Sequence, residues 1–145
     1  MEYKFRGWDA TGQKGWVYGD LVHNKKVTET GLEDRVMVGG YEVVPESVGL
    51  STGFTDKNGK EVFEGDIVYN GWCLEKNSII KFGEYQHLNA QREYVNGDFG
   101  FYLYHINEFS RNVTRNDFLF FFGNKDKGEV IGNVFENKDL LNNNE

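Results

Sequence analysis

Between residues 56 and 98, turn signals recur so often that no segment has room for a long helix. They are Asp56-Lys57-Asn58-Gly59, Glu64-Gly65-Asp66, Asn70-Gly71, Gly83 and Asn96-Gly97-Asp98. Asn and Gly both tolerate the positive φ that tight turns demand. The stretches between the first of these turns, Glu61-Val62-Phe63, Ile67-Val68-Tyr69 and Ser78-Ile79-Ile80-Lys81-Phe82, are branched and aromatic, which suits a pleated surface. Short strands at this spacing predict a small barrel rather than a βαβ sheet. Composition agrees. Val, Ile, Phe, Tyr and Trp number 42, whereas Ala, Leu and Met reach only 13, and 18 Gly and 15 Asn stand against a single Pro. The fold class is mainly β.

The flanking regions carry the same grammar. Tyr3 and Phe5 alternate with Lys4 and Arg6, Asp9-Ala10-Thr11-Gly12 turns, and Trp16-Val17-Tyr18 resumes extended chain until Gly19-Asp20 or His23-Asn24-Lys25-Lys26. Arg35–Val38 and Tyr41–Val44 flank Gly39-Gly40, a two-residue hairpin signal. Pro45 opens a helical turn over Glu46–Leu50, because its missing N–H does no harm at a first position. Gly83 is expected to stop its strand, and Glu84–Val95 to be a polar loop with a helical turn at Gln86–Arg92. Phe99, Phe101 and Leu103 share one strand face. Ile106, Phe109 and Val113 fall on one face of a short helix that would lie over a barrel mouth. Phe118–Phe122 is apolar on both faces, which marks a buried strand or an interface. The glycine inside Glu129–Phe135, Gly132, marks a bulge or a close backbone approach. Asn137 reads as the N-cap of a short helix through Leu140 and Leu141, and residues 142–145 as a frayed tail.

Charge and composition narrow the function classes. The chain carries 16 Lys+Arg against 23 Asp+Glu, a net charge of −7. No apolar run approaches the roughly 18 residues of a membrane span, and no apolar segment of a secretory signal follows Met1-Glu2-Tyr3-Lys4. One cysteine, Cys73, leaves no internal disulfide and no Cys-cluster zinc site.

Three segments taken together resemble the YopX-like family of phage and prophage proteins. They are Lys4-Phe5-Arg6-Gly7-Trp8-Asp9, then Thr52-Gly53-Phe54-Thr55-Asp56-Lys57-Asn58-Gly59-Lys60-Glu61-Val62-Phe63-Glu64-Gly65-Asp66-Ile67-Val68, and Glu129-Val130-Ile131-Gly132-Asn133-Val134-Phe135-Glu136-Asn137. The family's proline after Glu-Asn is replaced by Lys138, which weakens only a helix start. The resemblance implies a small SH3-like or pseudo-barrel roll with a short capping helix, acting in the cytoplasm of a bacterial host and self-associating. It implies no activity. The expected organisation is one domain over 1–145, with an N-terminal β-ribbon extension over about 1–50 packing with a barrel over about 51–141. The residues that carry the motif are Trp8, Gly53, Asp56, Gly59, Glu64, Gly65, Asp66, Gly132, Asn133 and Asn137, all expected to act structurally.

Candidate chemistry is sparse. Asp56, Glu61, Glu64 and Asp66 form the densest acidic group, but their spacing does not fit an EF-hand loop. Asp56 and Asp66 are better read as turn residues holding their own backbone. His23, His87 and His105 show no ligand spacing, and Cys73 has no neighbouring base to activate it. Asn112-Val113-Thr114 is a sequon that a cytoplasmic chain would not present for glycosylation. No catalytic, cofactor or metal residues are therefore expected. A nucleic-acid-binding barrel would need exposed rings, with Trp16, Tyr102 and Tyr104 as candidates, inside a positive groove. The basic pairs Lys25/Lys26, Lys57/Lys60 and Arg111/Arg115 are few for a chain of this charge. The surplus of aromatics fits either a filled core or a surface covered by partners. The expectation is a non-enzymatic homo-oligomer that binds a host or phage protein without membrane association; the alternative is a nucleic-acid-binding barrel serving phage replication or regulation.

Overall fold

The structure, a computed structural model, describes residues 3–70, 74–88, 90–91, 93–105 and 128–142. The chain divides into two compact units, Met1–Ser51 and Thr52–Glu145. Both are built from antiparallel strands, so the mainly β class holds.

In the first unit, β1 (Phe5–Trp8) pairs with β2 (Trp16–Gly19), placing Trp8 opposite Trp16. Its other edge meets the start of β6 (Gly49–Thr55), with Phe5 opposite Leu50. The long strands β3 (Leu21–Thr28) and β4 (Gly31–Val38) form a hairpin, and β5 (Tyr41–Glu42) adds to β4. Gly39 and Gly40 make the predicted two-residue turn, with φ of 60° and 89°. Such positive values match the strand twist and exclude most side chains. Pro45–Ser47 is a 3-10 turn, and the Ser47 hydroxyl accepts the Trp8 N–H at 2.7 Å. Val17, Val38 and Val43 form the core, with Phe5, Leu21, Val36 and Val48 around it.

The first unit departs from the sequence reading at two places. The helical turn expected over Glu46–Leu50 stops at Ser47, and Gly49 and Leu50 already belong to β6 and pair with β1. His23-Asn24-Lys25-Lys26 is not a break but the middle of β3. The middle of this hairpin, Asn24–Lys26 opposite Glu33–Arg35, is polar on both faces and largely exposed, so no apolar alternation announces it. Cross-strand pairs hold it instead: Lys25 opposite Asp34, Lys26 opposite Glu33 and Asn24 opposite Arg35.

In the second unit, β8 (Asp66–Asn70), β9 (Leu74–Leu88), β10 (Tyr94–His105) and β11 (Glu129–Asn133) make a sheet of order β10-β9-β8-β11. The short β7 (Glu61–Phe63) receives the Thr52 hydroxyl at the Val62 carbonyl, 2.8 Å away. Val62, Val68, Ile80, Leu103 and Val130 are the buried core, flanked by Phe54 and Phe101.

Here three expectations are corrected. Gly83 does not stop its strand, since it lies inside β9 directly opposite Gly100. Glu84–Val95 is not mainly loop, because β9 runs to Leu88 and β10 starts at Tyr94. No helical turn forms at Gln86–Leu88, which is strand. Asn96-Gly97-Asp98 does not introduce β10 but forms a bulge within it. The physical reason is common to all three: turn residues can be absorbed inside a ladder when the opposite strand supplies continuous pairing. Diagonally across the glycine pair, the rings of Tyr85 and Tyr102 approach to 5.5 Å on the same face. The terminal helix is a single 3-10 turn, Lys138–Asn142. The expected helix at Ile106–Val113 and the segment Phe118–Phe122 lie outside the described residues.

Candidate functional site

The densest acidic group resolves into backbone anchors. Asp56 is buried; its Oδ1 accepts the N–H groups of Asn58 and Lys60 at 2.9 and 2.8 Å, and Oδ2 accepts the Val130 N–H at 2.9 Å. One carboxylate therefore closes its own turn and ties it to β11, 74 positions away. Asp66 is 1% exposed, and its Oδ2 accepts the Phe63 N–H at 2.8 Å. Between them Gly65 sits at φ 93°, donating to the Ile80 carbonyl and accepting from the Val134 N–H, both at 2.8 Å. Glu61 and Glu64 are half-buried at the ends of this corner. Among the described residues, no group of three or more His, Cys, Asp or Glu could hold a metal ion.

The other motif residues also brace the backbone. A Cβ on Gly132 would lie 2.6 Å from Asn137 Oδ1, which makes this the close approach expected of it, and β11 shifts register there. The Asn137 side chain does not cap the following turn. It reaches back to accept the Asn133 N–H at 3.0 Å, while Asn133 Oδ1 accepts Phe135 and Glu136 N–H groups at 3.1 and 2.8 Å. Gly53 and Gly59 hold φ of 81° and 82°. Trp8 packs edge-on against Trp16 at 5.3 Å, and the buried Arg6 guanidinium lies 4.5 Å over the Trp16 ring. Asp9 binds Thr11 and Lys14: its Oδ2 accepts the Thr11 hydroxyl at 2.8 Å and the Lys14 N–H at 3.1 Å. These bonds, led by the Thr11 hydroxyl, hold its carboxyl below the usual carboxylate range.

The rings considered for base stacking already have neighbours on them. Arg6 occupies Trp16, Tyr85 packs on Tyr102, and Lys81 Nζ sits 4.1 Å above Tyr104. Partial burial pushes the Tyr102 phenol above its ordinary range, and Tyr104 and Glu64 add to that. Three of the basic candidates face carboxylates. Lys25 bonds Asp34 at 2.7 Å, Lys26 bonds Glu42 at 2.9 Å and Lys57 approaches Glu129 at 3.4 Å. His23 lies exposed on β3. Arg111, Arg115, the Asn112 sequon and Cys73 lie outside the described residues, as do the side chains of His87 and His105.

Two surfaces were not legible beforehand. Phe82, Phe99 and Phe101 share one face of β9–β10, with ring centroids 5.3 and 4.8 Å from Phe82, and Phe99 is 68% exposed. The alternation of Phe99, Phe101 and Leu103 gave the shared face but not where burial ends along it. The second is the β3–β4 hairpin, whose tip opposes two exposed apolar residues, Val27 and Leu32. Beside it a groove of about 440 Å³ is lined by His23, Lys25, Arg35, Val36 and Pro45 among others.

Fold and site together define an antiparallel β protein whose distinctive residues brace turns and corners. A family profile described as YopX protein matches residues 4–142, and the chain belongs to the YopX family, a phage- and prophage-associated family of uncharacterised function. A crystal structure of protein EF1440 from Enterococcus faecalis is similar over 97% of this chain and 99% of that one, at 22% identity and a TM-score of 0.48. No curated protein matches the chain. No helix among the described residues is long and apolar enough to cross a membrane.

Proposed function

We propose that the protein is a non-catalytic phage or prophage accessory module that self-associates and binds a host or phage protein in the bacterial cytoplasm. The observation that carries this reading is the Phe82–Phe99–Phe101 face, where Phe82 contacts both other rings and the cluster runs from the core edge into solvent. Contiguous exposed aromatics of this kind are the usual mark of a surface that another protein covers. The occupied faces of Trp16, Tyr102 and Tyr104, and a net charge of −7, weigh against a nucleic-acid-binding groove. The second unit is proposed to be the SH3-like or pseudo-barrel roll, with the Lys138–Asn142 turn as its short cap.

The test is solution mass by light scattering, with absorbance at 260 and 280 nm, on the protein and on a Phe82→Ser/Phe99→Ser variant. The expected result is a multimer free of nucleic acid that dissociates in the variant, with melting changed by less than about 1 kcal/mol. A monomer carrying 260 nm material at low salt would overturn the reading in favour of nucleic-acid binding.

A further inference from the structure

We propose that the outer edge of β3 is a docking edge for an extended acidic segment of another protein, which adds to the β3–β4 hairpin as a further strand. This rests on the reading of the protein as a protein-binding module and names its partner surface.

The backbone sets which groups are available. Asp20 and Gly39 form a bonded rung, the Gly39 N–H donating to the Asp20 carbonyl at 3.0 Å. Bonded and non-bonded rungs alternate in an antiparallel ladder. Val22, Asn24, Lys26 and Thr28 therefore direct their N–H and C=O groups toward β4, and His23, Lys25 and Val27 direct theirs outward. The same parity appears on β4, where the Val36 carbonyl points away from β3 and accepts the Val43 N–H at 3.0 Å. Among the described residues nothing pairs with the outward groups of His23, Lys25 and Val27, which offer six main-chain hydrogen bonds in a row.

Charge chooses the occupant. In a chain of net charge −7, β3 carries Lys25 and Lys26 and no acidic residue. Two β3 edges brought together would set these lysines against each other. The outer edge of β4 is occupied by Val43 and β5 from Val36 onward, leaving only Leu32 and Asp34 for a second copy. A foreign acidic strand meets neither obstacle. Lys25 can exchange its partner readily, because its ion pair with Asp34 has side chains 60% and 86% exposed. The Val27 side chain, 84% exposed, would gain cover, and the groove beside His23 and Pro45 would receive a side chain of the added strand. The protein's overall negative charge does not cancel this attraction, since fields are screened beyond about 8 Å at physiological salt.

The test uses the full chain and two synthetic octapeptides of alternating Val with Glu or with Lys, followed by calorimetry and amide-exchange NMR. The Glu peptide is expected to bind at least tenfold more tightly than the Lys peptide. It should slow exchange at His23, Lys25 and Val27 and leave Asn24 and Lys26 unchanged. Lys25→Pro, which removes one outward N–H, should abolish binding; Lys25→Glu with Lys26→Glu, which keeps the backbone, should reverse the preference. Equal binding of both peptides, or no slowing at those three amides, would overturn the proposal. So would slow exchange there in the free protein that is lost on dilution, which would mean that a second copy holds the edge. A partner found on the Phe82–Phe99–Phe101 face with β3 unaffected would sustain the proposed function while overturning this inference.

Discussion

Hairpin β9–β10 starts inside a packed core and runs out into solvent, whereas β3–β4 touches its core only at its root, through Leu21, Val36 and Val38. On β9–β10, Ile80 opposite Leu103 is fully buried, Phe101 is intermediate, and Phe82 opposite it and Phe99 are exposed. On β3–β4, only Val38 at the root is fully buried, and the six rungs from His23–Val36 to Thr28–Gly31 lie mostly in water. Burying an aliphatic side chain contributes about 1.5–3 kcal/mol, whereas an exposed cross-strand pair contributes about 0.2–1 kcal/mol. One hairpin is therefore held by its core and the other by its ladder. A two-stranded ribbon with no buried face is marginal in water, so β3–β4 is expected to be the looser of the two.

The largest effect should come from cutting into the anchored hairpin. Ile80→Ala removes a fully buried side chain packed with Val62, Val68 and Leu103, and should cost about 3 kcal/mol in a urea or thermal melt. Leu32→Ser, at the exposed tip of the other hairpin, should stay within about 0.5 kcal/mol of the parent. Equal losses for the two would mean that β3–β4 is buried in solution, and the contrast would fall.

Gly65→Val should come next, at roughly 1–3 kcal/mol. Gly65 holds φ 93° where its N–H reaches Ile80 of β9 and its carbonyl reaches Val134 beyond β11. A β-branched residue strains that conformation and loosens the corner on which β9 is seated. An unchanged melting temperature would remove the corner from the account of why β9–β10 is rigid at its base.

The contrast also explains which parts of the fold could be read from sequence. Gly39-Gly40 and Asp56-Lys57-Asn58-Gly59 were legible because turn chemistry is local and each turn uses its own residues. Gly132 was legible because a strand glycine marks close approach, here to Asn137. The hairpin at His23–Lys26 was not, since its stability lies in pairings with Asp34, Glu33 and Arg35, which leave no apolar period. Gly83 and Asn96-Gly97-Asp98 misled for the opposite reason: strong local turn signals were overridden by the length of the β9–β10 ladder. Asp56 was expected to hold its own turn, but its bond to Val130 joins residues that no short-range pattern connects. The exposed Phe82–Phe99–Phe101 face follows from where the core stops along a strand, a quantity set by tertiary packing.

The smallest effect concerns acid. The Asp34 carboxyl is held below its ordinary value by the hydrogen bond from Lys25, with the charge of Lys25 adding to it. A carboxyl whose folded pKa is depressed stabilises the folded form above its unfolded pKa, near 3.9, and that contribution is lost as pH falls through the folded value. The pair is exposed, so its effect should be confined to the hairpin. As pH is lowered from about 5 towards 2, amide exchange normalised to its unfolded-chain rate should rise at Asn24 and Lys26 before it rises at Ile80 or Leu103. Asp34→Asn should remove this early rise, and so should high salt, which screens an exposed pair. Simultaneous loosening of both hairpins with acid would show that β3–β4 is not held by its own cross-strand charges.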